Sequence, residues 1–414
     1  MELIDGVLIV STMDTKAEET CFLKDCLKAQ GLKVLVLDAG IRGKSPIPVD
    51  ISRDKVAAAA GSTLYDVQGL GHEGKALNVM ISGAIQCAKK FYKDGRIQGL
   101  LGLGGSMGTT LGTGVMRTFP IGFPKVMIST MASRNTRSFV GTKDIMMLHS
   151  VCDLAGLNRV TKSVLREGAL AVAGMIKGRE LTLSEDRPLA VLSTLGTTEA
   201  CVVRLRQALE AKGMEILTFH TVGSGGEAME ELVRDEDVKL VVDLSLHELM
   251  DHFFGGDYDA GPNRGKAALE KGVPTILIPG NTDFLVTGPL ETATYRFPGR
   301  IMHSHNSAIT VVSTEREEMI QFAGIMSDIC KKARGPLAVL IPMGGFSAFD
   351  SPDGPMENLE ARQALSEALK TSLPQDILYS HSRHHINDPE FAFKILDCMD
   401  RLLETSEAPP KERK

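Results

Sequence analysis

Val7-Leu8-Ile9-Val10-Ser11-Thr12-Met13-Asp14-Thr15 begins as a short unbroken apolar run and stops at small hydroxyl residues. A run of this kind reads as a strand buried on both faces, the type found in parallel sheets. Lys16 to Gln30 then follow a helical pattern, Gly31 stops it, and Lys33-Val34-Leu35-Val36-Leu37-Asp38 reads as a second strand. Strand, helix and strand within roughly thirty residues make a βαβ unit with a right-handed crossover. The pattern recurs. Leu189-Ala190-Val191-Leu192-Ser193-Thr194 leads through Thr197 into a helix that ends at Gly213, before Ile216-Leu217-Thr218-Phe219. Ser11, Thr12, Thr15 and Gly31 match Ser193, Thr194, Thr197 and Gly213 at one ungapped offset of 182 residues. Two α/β domains with related openings are expected.

Outward from the first opening, helical stretches are expected at 52–60 and 75–92, strands at 97–103 and 125–129, and a long helix over 157–176. The polar stretch 177–188 ends in proline and reads as the boundary. The expected division is therefore one domain at 1–182, a second at 186–405, and a frayed tail at 406–414. Strands of the second domain are expected near 239–243, 275–278, 308–312 and 336–341. Strands alternating with helices predict two Rossmann-like α/β domains, with parallel sheets covered on both faces and ligands at the carboxyl ends of the strands.

Composition narrows the function classes. The chain has 414 residues, with 46 Lys+Arg against 52 Asp+Glu and a net charge of −6, a balance that disfavours a nucleic-acid binder. Hydrophobic residues at 43% exclude global disorder. Seven cysteines, an odd number without C-x-x-C or zinc-like spacing, fit reduced thiols in the cytoplasm. No apolar run is long enough to span a bilayer, and the acidic opening, with no Lys or Arg before Lys16, does not read as a secretory signal. The expectation is a soluble cytoplasmic protein without membrane or nucleic-acid partners.

The strongest local signal is Gly99-Leu100-Leu101-Gly102-Leu103-Gly104-Gly105-Ser106-Met107-Gly108-Thr109-Thr110, a strand running through glycines into a helix. Glycines let backbone N–H groups approach an anion, and a helix N-terminus adds free donors and a positive dipole end. The loop is not a P-loop, because it lacks Lys, and Met107 stands where G-x-G-x-x-G needs its third glycine. It reads either as a phosphate or carboxylate cradle or as a turn that needs small residues for packing. On the first reading, valine at Gly104 or Gly105 blocks nucleotide binding and leaves the fold intact. Ser129-Thr130 ends a neighbouring strand, and the following loop carries Ser133, Arg134 and Arg137. Asp38, with Arg42 close behind, sits after strand two, where an acid commonly meets a ribose and an arginine a phosphate.

In the second domain His247-Glu248-Leu249-Met250-Asp251-His252 places His247 with Asp251, and Glu248 with His252, at helical i,i+4 spacing. The second histidine comes one residue late for a zincin motif, so a solvated helix face and a metal pair are both open readings. Polar loops around Asp283, His305 and His385 either converge on a carboxylate or metal site or are separate caps and turns. No metal site is assigned.

The phrases Gly102–Thr109, Pro120–Thr130, Asp153–Asn158, Gly261-Pro262-Asn263-Arg264 and His385-Ile386-Asn387-Asp388-Pro389 run in order along nearly the whole chain. Through them the chain resembles the family of ATP-binding proteins typified by the plant tobamovirus-resistance (Tm-type) inhibitor, an uncharacterised family in bacteria. The resemblance implies two Rossmann-like domains, a nucleotide site in the first, and a homodimer. It also implies a TIM-barrel protein partner, fused behind this module in plants and expected here as a separate protein. By position it transfers the nucleotide role to Thr12, Arg42, Gly104, Gly105, Ser106, Gly108, Thr109, Thr130 and Ser133. The chain departs from the family's pattern at His247 and at His305-Asn306-Ser307. ATP is the expected cofactor, with magnesium arriving on its phosphates, since no carboxylate cage for the metal is evident. Two further expectations stand beside it: a metal- or carboxylate-dependent enzyme built on Glu248, Asp283, His305 and His385, and a regulatory module without catalysis.

Overall fold

β1 (Gly6–Ser11) is buried along its whole length, with Leu8 and Val10 in one apolar cluster and Val7 and Ile9 in another. Alternate residues thus serve two cores, which is why the strand reads as a continuous apolar run. Helices cover both faces of its sheet. Beside it stand β2 (Lys33–Asp38), β3 (Gly99–Gly104), β4 (Lys125–Ser129) and β5 (Met146–His149), all parallel in the order β2-β1-β3-β4-β5. The edge strand β5 is only four residues long with both ends exposed, and it escapes sequence reading.

The computed structural model describes residues 6–178 and 187–407, in two units, Met1–Leu183 and Ser184–Lys414. Most of the boundary stretch and residues 408–414 of the expected tail lie outside the described residues, while Ser406 and Glu407 belong to the last helix, Pro389–Glu407. Among the described residues no helix is long and apolar enough to cross a membrane.

The second unit contains β6 (Leu189–Thr194), β7 (Glu215–His220), β8 (Val238–Ser245), β9 (Thr275–Gly280), β10 (Phe284–Thr287), β11 (Met302–Ser304), β12 (Thr310–Ser313), β13 (Leu337–Pro342) and β14 (Leu378–Ser382). Its large parallel sheet runs β7-β6-β8-β9-β13-β14, repeating the first sheet's order with one strand added. The matching helix stops Gly31 and Gly213 adopt the same left-handed backbone, φ 79° and 81°. Both units are Rossmann-like. The strand expected near 308–312 departs from the parallel pattern: it is β12, antiparallel to β10 and β11 in a separate three-stranded sheet. A tight connection closed by the His305 N–H on the Ile309 carbonyl (3.0 Å) joins β11 to β12, and short links of this kind join only antiparallel strands.

Candidate functional site

In the first sheet the chain turns to opposite sides after β1, so a crevice opens above the carboxyl ends of β1 and β3. A cleft of about 620 Å³ lies there. Thr12, Arg42, Gly104, Gly105, Ser106 and Gly108 all line it. The helices Met13–Ala29 and Ser106–Met116 begin at its floor, and neither N-cap residue, Thr12 or Gly105, places a side chain on its helix terminus. The first N–H groups of a helix have no intrahelical acceptor, so both positively polarised ends meet in one cleft, although the first N–H of Met13–Ala29 is taken by Asp38 (3.0 Å).

The glycines divide between the two sequence readings. Gly104 has φ 153°, and a Cβ there would sit 2.9 Å from the Gly108 Cα; a Cβ on Gly108 would sit 2.9 Å from the Leu103 carbonyl oxygen. These two positions serve close helix–strand packing, so valine at Gly104 perturbs the fold, against the sequence expectation. Gly105 is different: a Cβ there meets nothing nearer than the Thr130 hydroxyl at 3.8 Å. Its bareness is not required by packing.

Thr109 lies fully buried beneath the loop, its hydroxyl donating to the Gly105 carbonyl (2.7 Å) and paired with the Ser129 hydroxyl (2.6 Å). It shapes the loop rather than lining the cleft. Thr130 abuts Gly105 and donates its backbone N–H to the Gly104 carbonyl (3.2 Å). Ser133 is exposed and is not among the lining residues. Asp38 does not reach toward a ribose. It is buried, and its Oδ1 accepts the N–H groups of Met13 (3.0 Å) and Gly40 (2.8 Å). Burial pushes its carboxyl up from the ordinary range, against those two donors.

Sequence reasoning missed Asp14, Lys16, His72 and Glu73, which also line the cleft. Asp14 Oδ2 accepts from Arg42 N (3.0 Å) and Gly43 N (3.1 Å), holding the loop after β2. His72 caps the helix Glu73–Lys93 through Nδ1, which accepts from Gly74 N (3.1 Å) and Lys75 N (3.4 Å). Asp14 and Lys16 were readable as polar residues directly after a buried strand; His72 and Glu73 join the cleft only through the fold.

In the second unit the solvated-face reading of 247–252 fails, because His247, Glu248 and Asp251 are all buried. Fully buried Arg264 engages Glu248. It donates through Nε to Glu248 (2.7 Å), through Nη1 and Nη2 to Asp243 (2.5 and 2.7 Å), and lies 3.5 Å from Glu230. Glu248 Oε1 also accepts from Gly223 N (2.6 Å) and Gly226 N (2.9 Å), at the N-terminus of the helix Ser224–Asp235. Burial raises the Glu230 and Glu248 carboxyls even beside the guanidinium. Burial alone would lower the His247 imidazole, yet Asp251, 3.3 Å from its Nε2, helps lift it above its ordinary value.

The other candidate positions separate. Asp283 Oδ2 accepts from the Ser347 hydroxyl (2.6 Å), Oδ1 is buried without a partner, and burial together with Asp350 pushes the carboxyl up to about 8. His385 Nε2 donates to the Ser347 carbonyl (2.8 Å) and Nδ1 accepts from Asn387 N (3.0 Å), so Ser347 links it to Asp283. His305 is exposed on the β11–β12 connection and joins none of these. Glu248 and His385 thus have their polar atoms engaged by the fold itself.

Against this geometry, the N-terminal domain of the uncharacterised protein family UPF0261 matches residues 5–181, and its C-terminal domain matches residues 187–403. The chain belongs to this family. A UPF0261 protein of Clostridium tetani is 36% identical over 399 residues, covering 96% of this chain and 99% of that protein. A Mesorhizobium japonicum member is 33% identical over 399 residues, covering 95% and 98%. The ToMV resistance protein Tm-1 of Solanum lycopersicum is 32% identical over 441 residues, covering 98% of this chain and 56% of that protein. The Tm-type resemblance therefore holds. Among solved structures, a UDP-GlcNAc 2-epimerase of Methanocaldococcus jannaschii aligns at 11% identity with a TM-score of 0.21, over 66% of this chain and 83% of that one, a likeness that carries nothing to the cleft.

Proposed function

We propose that the first unit binds ATP in the β1–β3 crevice, with the phosphates against the N-terminus of the helix Ser106–Met116. The observation that carries this reading is the uncapped N-terminus of the helix Ser106–Met116 opening into the cleft at Gly105, where the absent side chain has no packing reason. The donor set fits an anion: backbone N–H groups, the Thr12 and Ser106 hydroxyls, and the cations Lys16 and Arg42 line the cleft. Ile41, Val67, Ala76 and Leu77 give it an apolar side on which a base can lie.

Magnesium comes on the phosphates in this reading. Asp38 is engaged by Met13 and Gly40, and the unpartnered Oδ1 of Asp14 is buried against Gly40, so no carboxylate cage stands ready. The protein acts as a regulatory nucleotide binder in the cytoplasm, as a homodimer working with a separate TIM-barrel protein. The Tm-type relationship supports these last features.

Calorimetry of ATP, with and without magnesium, on the wild type beside Gly105→Val tests the site. Gly105 has φ −78° and open space around its Cβ position, so valine leaves the fold in place while covering the donors. Micromolar binding lost in the variant is the expected result. Equal binding by both proteins, or none by the wild type, refutes the assignment.

A further inference from the structure

We propose that the ion pair between Arg42 and Glu73 is an internal stand-in for ligand at the mouth of this crevice, and that an entering polyphosphate takes Arg42 over from Glu73. The inference rests on the crevice holding a phosphate chain, as above, and names the residue that tunes its affinity and closes its mouth.

Both side chains line the cleft, from different elements: Arg42 from the loop after β2, Glu73 from the first turn of the helix Glu73–Lys93. Their backbones are fixed independently of the pair. Asp14 Oδ2 holds the N–H groups of Arg42 and Gly43, at 3.0 and 3.1 Å, and the His72 cap holds the turn that carries Glu73. Their side chains lie largely in solvent, with 73% of Arg42 and 59% of Glu73 exposed.

An exposed ion pair contributes little, about 0–1 kcal/mol, and exchanges readily. Guanidinium meets phosphate through two parallel hydrogen bonds, and a polyphosphate carries more charge than one carboxylate. Glu73, once released, still lies in the first turn of its helix, where the helix dipole favours an acid. The exchange therefore leaves no stranded charge. In the free protein Glu73 repels an incoming anion and occupies the cation that would receive it.

The test measures ATP and inorganic tripolyphosphate binding by calorimetry for wild type, Glu73→Gln, Arg42→Gln and the double variant, with thermal unfolding to verify that each folds. Glu73→Gln is expected to bind both probes roughly two- to fivefold more tightly, the range an exposed ion pair allows. That gain should disappear in the Arg42→Gln background. Unchanged affinity in Glu73→Gln overturns the exchange and leaves the nucleotide reading standing. A gain that persists without Arg42 also overturns it, since Glu73 would then act by general repulsion alone. Binding of tripolyphosphate but not ATP keeps the exchange and removes the nucleotide reading. No binding of either probe by any variant removes both.

Discussion

Replacing Arg264 by methionine removes the one cation from a buried group of three carboxylates while nearly conserving volume. The guanidinium contacts Glu248 at 2.7 Å and Asp243 at 2.5 and 2.7 Å, and lies 3.5 Å from Glu230, with no side-chain exposure. Breaking a buried ion pair from one side typically costs about 3–5 kcal/mol, against about 0–1 for an exposed pair. Domains have about 5–15 kcal/mol in total, so the second unit should lose roughly a fifth of its stability or more. The loss should also depend on pH. Glu230 and Glu248 are already raised by burial, and without Arg264 they rise further. A carboxyl whose folded pKa lies above its unfolded value adds stability below the unfolded value, and that stability is lost as pH rises through the folded one. Arg264→Met should therefore be less damaging at pH 5 than at pH 8. Urea unfolding followed by far-UV circular dichroism suits a chain without tryptophan. A loss below about 1 kcal/mol, or an equal loss at both pH values, would show that these carboxylates do not depend on the guanidinium.

Gly104→Val should lower the unfolding temperature clearly, because it combines a positive φ with a 2.9 Å approach to the Gly108 Cα, whereas Gly105→Val should stay within about 0.5 kcal/mol of wild type. Differential scanning calorimetry separates the two, and equal effects would contradict the division of the loop. Asp283, with its carboxyl pushed up to about 8, remains protonated in the folded protein over a range where the unfolded chain has already ionised. Stability should thus fall from about pH 4 towards pH 8, and Asp283→Asn should flatten that fall in denaturant titrations; an unchanged slope refutes the assignment.

The architecture was legible where burial leaves a one-dimensional trace. β1 and β6 face two cores each, so Val7–Val10 and Leu189–Leu192 are unbroken apolar runs and the repeat at 182 residues shows in the letters. The crevice was legible because Gly104–Ser106 mark a strand end and a helix start together. The second-unit helix was misread because buried His247, Glu248 and Asp251 have the same letters as a solvated face. What distinguishes them is their distant partners, Arg264 for Glu248, the Asn281 carbonyl for His247 and the Val286 N–H for Asp251, and no helical spacing rule reaches that far. Asp38 was misread because an acid at this strand end serves equally well as a ligand contact or as a loop anchor. Only the positions of the Met13 and Gly40 N–H groups decide between them.

Two of the crevice walls are latched to each other. Asp38 ties the turn at Met13 to Gly40, and Asp14, on the same turn, ties down Arg42 and Gly43. The turn after β1 and the loop after β2 are therefore one rigid body, and the amides of Met13, Gly40, Arg42 and Gly43 should exchange slowly and together.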